Sequence, residues 1–121
     1  MQDLLPLAEK LGARLKARGD TIAIAESSTG GLISAALLSV GGASAYFRGG
    51  SVIYTQYARS GFLEIPNPLP NGMRASSEPY AALLATTVRS CCCSDGLRPA
   101  DDLAMISPSI PLRAQSSGNA R

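Results

Sequence analysis

The stretch that decides the fold is residues 21–38, Thr-Ile-Ala-Ile-Ala-Glu-Ser-Ser-Thr-Gly-Gly-Leu-Ile-Ser-Ala-Ala-Leu-Leu. Its first part, Thr21–Ala25, is short, apolar and rich in isoleucine, which predicts a buried strand. Its last part, Leu32–Leu38, predicts a helix, and a polar, glycine-bearing turn lies between the two. A strand that passes through such a turn into a helix is typical of α/β proteins.

The turn between this strand and helix is the segment best suited to chemistry. In open α/β sheets, ligands bind beyond the carboxyl ends of the strands, and the first amides of a helix attract an anion. Ser27, Ser28 and Thr29 supply hydroxyl groups, one of which could be a nucleophile, and Gly30 and Gly31 let a ligand approach the backbone. The same residue types are also ordinary helix caps and turn residues, so a purely structural interpretation stays open.

The flanking segments continue the alternation of helices and strands. Leucines at positions 4, 7, 11 and 15 form one apolar stripe, which predicts a first helix that ends at Gly19. The other predicted elements are, in chain order, a helical turn at residues 43–47, a strand over Ser51–Tyr54, helices over Tyr57–Leu63 and Ser77–Arg89, and a strand over Leu103–Ile106.

Composition excludes several classes of function. The 121 residues suggest one domain, and the absence of histidine excludes histidine metal sites and Ser-His-Asp triads. A net charge of +2, with four Tyr, two Phe and no Trp, is too weak a basis for binding nucleic acid. No apolar run approaches the roughly 20 residues of a membrane span, and no signal peptide is evident. We therefore expect a cytoplasmic protein with no nucleic-acid or membrane partner.

The chain changes character near residue 90. Three adjacent cysteines, residues 91–93, are poorly spaced for a disulfide with one another or for a zinc site. The sequence then becomes rich in proline and polar residues. We expect one domain over residues 1–90 and a divergent, largely disordered tail over residues 91–121.

Three blocks of the sequence resemble the CinA C-terminal domain family, which includes nicotinamide mononucleotide deamidases. The blocks are Glu26–Ile33, Gly42–Gly50 and Val52–Tyr54. The usual family pattern is Ala-Glu-Ser-Cys-Thr-Gly-Gly, then Gly-Ser-Ser-Ala-Tyr-Phe, then Tyr-Ser-Asn-Glu-Ala-Lys. The resemblance covers about residues 5–90 and implies a three-layer α/β/α sandwich. It also implies a serine amidohydrolase, without metal or cofactor, that acts on nicotinamide mononucleotide or a similar phosphorylated small molecule and releases ammonia.

The resemblance assigns roles to individual residues. Ser27 matches the nucleophilic serine, Tyr54 matches the tyrosine beside it, and Ser28 stands where the family usually has cysteine. Glu26 either fixes the serine turn by accepting N–H bonds or simply lies near the positive end of the following helix. The expected substrate-binding residues are Glu26, Ser28, Thr29, Gly30 and Gly31, of which the last three match the loop that receives the phosphate or the oxyanion.

Two departures from the family pattern bear on activity. The family's catalytic lysine falls at Arg59, and arginine keeps its proton where a desolvated lysine can act as a base. Arg59 could instead hold a phosphate or an oxyanion, or lie on a solvated helix face. After residue 90 the family's strand and glycine-rich loop are replaced, although Leu103–Pro108 echoes that strand. We interpret the chain as leaving the family's reading frame, or as truncated, near residue 90.

An incomplete sheet would leave strand edges and apolar helix faces uncovered, so we expect marginal stability and a homo-oligomer. By family, the chain is expected to be an amidohydrolase whose activity is impaired or absent. The alternative is a non-catalytic relative or a fragment that retains a phosphate-binding turn and acts through protein–protein contacts. A third interpretation is a general phosphate-binding α/β module that uses the helix N-terminus.

Overall fold

The computed structural model describes residues 1–92 and 104–106. In chain order its helices and strands are α1 (Leu5–Arg18), β1 (Ile22–Glu26), α2 (Leu32–Leu38), β2 (Phe47–Val52), α3 (Gln56–Leu63), α4 (Glu78–Cys92) and β3 (Ala104–Ile106). The predicted disordered tail lies outside the described residues, apart from the end of α4 and the strand β3. None of the described helices is long and apolar enough to cross a bilayer.

The three strands form a parallel sheet in the order β2-β1-β3. In the register, Glu26 lies opposite Val52 on β2 and opposite Ile106 on β3. The middle strand β1 is buried along its whole length. Burial on both faces explains why the β1 sequence is a continuous apolar run until its last residue.

Helices cover both faces of the sheet. Successive side chains of a strand point to opposite faces. Ile22 and Ile24 therefore pack in one core with residues of α1 and α2, whereas Ala23 and Ala25 pack in a second core with residues of α3 and α4. The predicted three-layer α/β/α architecture is confirmed.

A tyrosine between α1 and α2 shows how tightly the first core is packed. Tyr46 is completely buried, its hydroxyl donates a hydrogen bond to the Leu37 carbonyl oxygen, and burial raises the pKa of its phenol. A β-carbon at Gly12 of α1 would lie 3.0 Å from the Tyr46 hydroxyl oxygen. The glycine is thus needed for α1 to approach the ring this closely.

The second strand lies earlier in the chain than predicted. The pattern placed it at Ser51–Tyr54, after Gly49 and Gly50, whereas β2 spans Phe47–Val52 and contains both glycines. A β-carbon at Gly50 would lie 2.7 Å from Ser34 Oγ. The two glycines therefore serve close packing against the neighbouring layers and do not break the strand.

The other predicted elements are confirmed with small shifts. The first helix ends at Gly19, which has the left-handed conformation, with φ of 70°. The helical turn occupies Ala43–Ala45, and the late strand is β3. The last helix continues three residues beyond its predicted end, to Cys92.

Candidate functional site

The candidate nucleophile and its tyrosine leave the sheet at the same edge. The backbone N–H of Ile53 donates a 2.6 Å hydrogen bond to the Glu26 carbonyl oxygen at the ends of the two parallel strands. Ser27 follows Glu26 in the chain, and Tyr54 follows Ile53. Ser27 is half-buried, and Tyr54 is 72% exposed. The carboxyl edge of the sheet therefore presents both residues, as the parallel topology requires.

The carboxylate of Glu26 holds the N-terminus of α2. Its Oε2 accepts hydrogen bonds from the backbone N–H groups of Gly31 (3.0 Å) and Ile33 (3.2 Å). Its Oε1 accepts bonds from the backbone N–H and the hydroxyl of Ser34, both at 2.7 Å. Glu26 is 0% exposed, so these donors take the place of water around the charge.

These contacts control the ionisation of Glu26. Burial acts to raise its pKa, but hydrogen bonds from the hydroxyl and amide of Ser34 and from the amide of Ile33 outweigh burial. The Thr29 hydroxyl, which makes no well-formed hydrogen bond to any described residue, also favours the charged form. The net result is a pKa below the ordinary glutamate value, so Glu26 is a buried anion at neutral pH.

The amides that were expected to face a ligand anion therefore face a side chain of the protein itself. Of the two interpretations of Glu26, the structure bears out the one in which it fixes the serine turn by accepting N–H bonds. With no exposed surface, Glu26 supports the turn from within the fold. The positive end of the α2 dipole is satisfied by this internal carboxylate.

The rest of the turn is shaped by its glycines. Gly30 and Gly31 have positive φ values of 62° and 95°, which residues with a β-carbon rarely adopt. The Gly30 N–H donates to the Ser27 carbonyl oxygen at 3.0 Å, which closes the turn. Ser28 is exposed and Thr29 is half-buried. Ser28 is thus the most open of the three hydroxyl residues of the turn, whereas Ser27 and Thr29 are both half-buried.

Arg59 lies in the second core and not on a solvated helix face, so that interpretation is wrong. It is 7% exposed. Its Nη2 donates a 3.0 Å hydrogen bond to Asn67 Oδ1, and its guanidinium carbon lies 5.9 Å from the centre of the Tyr80 ring. Its Nε is buried without a hydrogen-bond partner among the residues that the structure describes. The guanidinium is held by an amide and an aromatic ring, and none of the carboxylates in residues 1–92 forms an ion pair with it.

The topology puts Arg59 at the same end of the molecule as Ser27. Helix α3 begins directly after β2, and α4 leads to β3, which is parallel to β2. Helix α3 therefore begins near the carboxyl edge of the sheet, and the start of α4 lies beside it through the contact between Arg59 and Tyr80. Arg59 lies in the first half of α3, and Tyr80 lies in the first turn of α4. Within the described ranges, no three cysteine or acidic side chains are grouped to bind a metal.

Comparison with known families decides where this arrangement belongs. The profile of the CinA C-terminal domain matches residues 4–96. The chain belongs to the CinA C-terminal domain family. The match includes the serine turn, the tyrosine that follows β2 and all of α4.

Sequence relatives of this CinA domain are longer proteins. A CinA-like protein of Citrifermentans bemidjiense is 37% identical over 94 residues, which are 78% of this chain and 23% of that protein. A relative from Geobacillus kaustophilus, named for competence and damage inducibility, is 50% identical over 82 residues, 68% of this chain and 20% of the relative. The chain thus spans between a fifth and a quarter of the length of these two relatives.

Solved CinA structures share the fold. The competence/damage inducible protein of Agrobacterium tumefaciens superposes with a TM-score of 0.71 at 28% identity, covering 85% of this chain and 59% of that one. A CinA superfamily protein of Escherichia coli gives 0.72 at 27% identity, covering 86% and 57%. The α/β/α arrangement of this chain is therefore that of the family, over part of the family domain.

Sequence analysis did not find every residue that shapes this CinA site. Ser34 and Gly50 were not among the candidate residues. Ser34 donates a hydrogen bond to Glu26, and the absence of a side chain at Gly50 leaves space for the Ser34 hydroxyl. No local signal pairs Ser34 with a residue eight positions earlier. The only sequence signal for Gly50 was its place in a block that resembles the family.

Proposed function

We propose that this CinA domain carries a serine amidohydrolase site for nicotinamide mononucleotide, or a similar phosphorylated small molecule, and that its turnover is strongly reduced. The observation that carries the proposal is the hydrogen bond between Ile53 and Glu26. Because Tyr54 follows Ile53 and Ser27 follows Glu26, the backbones of both site residues begin side by side at one edge of the sheet. Such an activity would belong to cytoplasmic salvage of nicotinamide nucleotides.

The proposed reaction uses Ser27 as the nucleophile. Its hydroxyl oxygen attacks the carbonyl carbon of the substrate amide, and the amide nitrogen leaves as ammonia after it has gained a proton. Water then hydrolyses the acyl-serine ester, which releases the carboxylate and restores the hydroxyl. Tyr54, exposed beside the turn, would orient the Ser27 hydroxyl through a hydrogen bond. A serine needs a neighbouring base for this chemistry.

Arg59 is the reason that turnover is expected to be low. It stands where the family has its catalytic lysine, and an arginine side chain can donate hydrogen bonds but cannot take the serine proton at neutral pH. If the alternation of β1 continues by one residue, Ser27 faces the layer of α3 and α4, which contains Arg59. From there the guanidinium would stabilise a developing oxyanion or a phosphate.

A non-catalytic binding role is the second candidate, because the Arg59 guanidinium keeps its proton and donates a hydrogen bond to Asn67, so it offers Ser27 no base. In that role the domain would bind the phosphorylated molecule without hydrolysing it. The retained serine turn would then serve recognition alone.

Ammonia release from nicotinamide mononucleotide distinguishes the two roles, with binding measured in parallel by calorimetry. The amidohydrolase proposal expects slow release that Ser27→Ala abolishes while binding is retained. Binding with no release in either protein favours the non-catalytic role. If a folded protein shows no binding of the mononucleotide and no release of ammonia, both roles are contradicted.

A further inference from the structure

The Ser34 hydroxyl lies between the buried carboxylate and the edge strand of the sheet. It donates a 2.7 Å hydrogen bond to Glu26 Oε1. The space that a β-carbon would fill at Gly50 lies 2.7 Å from the same Ser34 hydroxyl oxygen. Gly50 pairs with Ile24, two residues before Glu26 on β1. The absence of a side chain on β2 therefore leaves Ser34 room to reach the carboxylate.

We propose that Ser34 is a positioning residue for Ser27 and that Gly50 is required for it to act. Both donors of Ser34 bind Glu26 Oε1, which leaves Oε2 for the amides of Gly31 and Ile33. Gly31 is the last residue of the turn that begins at Ser27. The inference rests on the proposed function for what Ser27 does, whereas the contacts of Glu26 stand without it.

The charge of Glu26 makes the hydroxyl important. The carboxylate is fully buried, and no lysine or arginine of the described residues forms an ion pair with it. Its charge is therefore compensated by hydrogen-bond donors alone, and loss of one donor leaves a buried anion undersolvated. Without the Ser34 hydroxyl, the carboxylate can rotate toward its remaining donors, and the Gly31 amide loses its fixed acceptor.

Gly50 offers an independent way to disturb the same contact. An alanine there would put its methyl group against Ser34 Oγ at a distance that real β-carbons do not tolerate. The hydroxyl would remain in the sequence but would be pushed away from Glu26. Ser34→Ala removes the atom that this methyl group would strike. The two substitutions should therefore not be additive.

The test is amide hydrogen exchange in four single variants and one double variant. Ser34→Ala and Gly50→Ala are expected to speed exchange at Gly31 and Ile33 by about tenfold or more, the effect of weakening a hydrogen bond to a charged group. Ser34→Ala/Gly50→Ala should not exceed Ser34→Ala alone. The matched controls are Ser39→Ala, which removes the hydroxyl that caps the C-terminal end of α2 by donating to the Ala36 carbonyl oxygen, and Gly61→Ala, which meets no atom within 4 Å.

A positioning role predicts a specific pattern that a general loss of stability would not produce. Exchange should rise at Gly31 and Ile33 but not throughout β1, and kcat for ammonia release should fall with KM nearly unchanged. Unchanged exchange in Ser34→Ala, or an equal rise across β1, overturns the proposal. If the unsubstituted protein releases no ammonia, the amidohydrolase proposal fails, while the exchange pattern still decides whether Ser34 fixes the turn.

Discussion

The backbone N–H of Ile53 lies 2.6 Å from the carbonyl oxygen of Glu26, and this hydrogen bond joins the ends of two parallel strands. The pairing brings together two chain segments at the edge of the sheet, and their next residues are Ser27 and Tyr54. The side chain of Glu26, on the same residue, turns back to hold the start of α2. Glu26 thus links the sheet, which precedes the candidate nucleophile Ser27, to the helix α2, which follows it.

Glu26→Gln should destabilise the fold by about 1–3 kcal/mol at pH 7, because an amide cannot match a carboxylate as the acceptor for these donors. Since the pKa of Glu26 is lowered in the fold, its contribution is complete above the ordinary value of 4.5. It is lost as the pH falls through the lowered folded pKa, since the unfolded chain takes up the proton first. Urea unfolding at several pH values between 7 and 3 measures this.

The control for that measurement is Glu9→Gln, because Glu9 is an exposed carboxylate on α1. It should leave the acid sensitivity of the protein intact, whereas Glu26→Gln should flatten it. Equal acid sensitivity in Glu26→Gln and the unsubstituted protein would show that the buried carboxylate is not the group that titrates.

Gly12→Ala should lower the stability by about 1–3 kcal/mol through overpacking against Tyr46. Alanine is ordinarily the better residue in the middle of a helix, by about 1 kcal/mol. The added β-carbon, however, would lie 3.0 Å from the buried hydroxyl oxygen. The measurement is the Tm of Gly12→Ala compared with that of Gly41→Ala, whose β-carbon would meet no atom within 4 Å. A rise in Tm for Gly12→Ala would mean that the ring can move aside.

Arg59→Met should stabilise the fold in buffer without phosphate, by up to about 2 kcal/mol. Arg59 forms no ion pair with any residue whose position is described, and replacing such a buried charge by an apolar side chain of similar length removes a desolvation cost. The loss of the Asn67 hydrogen bond offsets part of the gain. Urea unfolding measures the difference, with Arg48→Met on the exposed side of β2 as the control. A large loss of stability would show that the guanidinium stabilises the second core.

Self-association is expected because large aromatic side chains are exposed on the segment that follows β2, an outer strand of the sheet that the structure describes. Tyr54, Tyr57 and Phe62 are each more than two-thirds exposed, at 72%, 79% and 67%. Exposed aromatic groups favour contact with a second copy, as does a strand that is paired on one side only within the described part of the chain. Sedimentation over a range of concentrations should show dimers or larger species, and Phe62→Ser should reduce them. A monomer at all concentrations would contradict this.

Much of the fold was predictable because its signals are local. The apolar run of β1 and the glycine at the end of α1 each reflect the burial or backbone conformation of their own segment. In the leucine stripe, Leu11 and Leu15 pack in the first core as expected, whereas Leu7 is 62% exposed. The strand β2 was misplaced because Gly49 and Gly50 are selected by distant neighbours, Cys92 and Ser34. Glycines in a sequence predict a turn unless the packing partner is known.

The candidate site was predictable only in part for a similar reason. The serine turn is a contiguous motif, so its position between strand and helix followed from the sequence. That Glu26 accepts hydrogen bonds from the backbone N–H groups at the start of α2 was one of two interpretations. The sequence could not decide between them, because a glutamate at the end of a strand is equally compatible with exposure. The burial of Arg59 depends on Asn67 and Tyr80, which the loop and α4 bring to it from later in the chain.

The most direct test of the central claim is ammonia release from nicotinamide mononucleotide by Arg59→Lys. If Ser27 at this edge of the sheet is a nucleophile that lacks only its base, the lysine variant should release ammonia at least about tenfold faster than the unsubstituted protein. Adding Ser27→Ala to it should abolish the gain. No gain in a folded Arg59→Lys protein, or a gain that survives Ser27→Ala, would contradict the account.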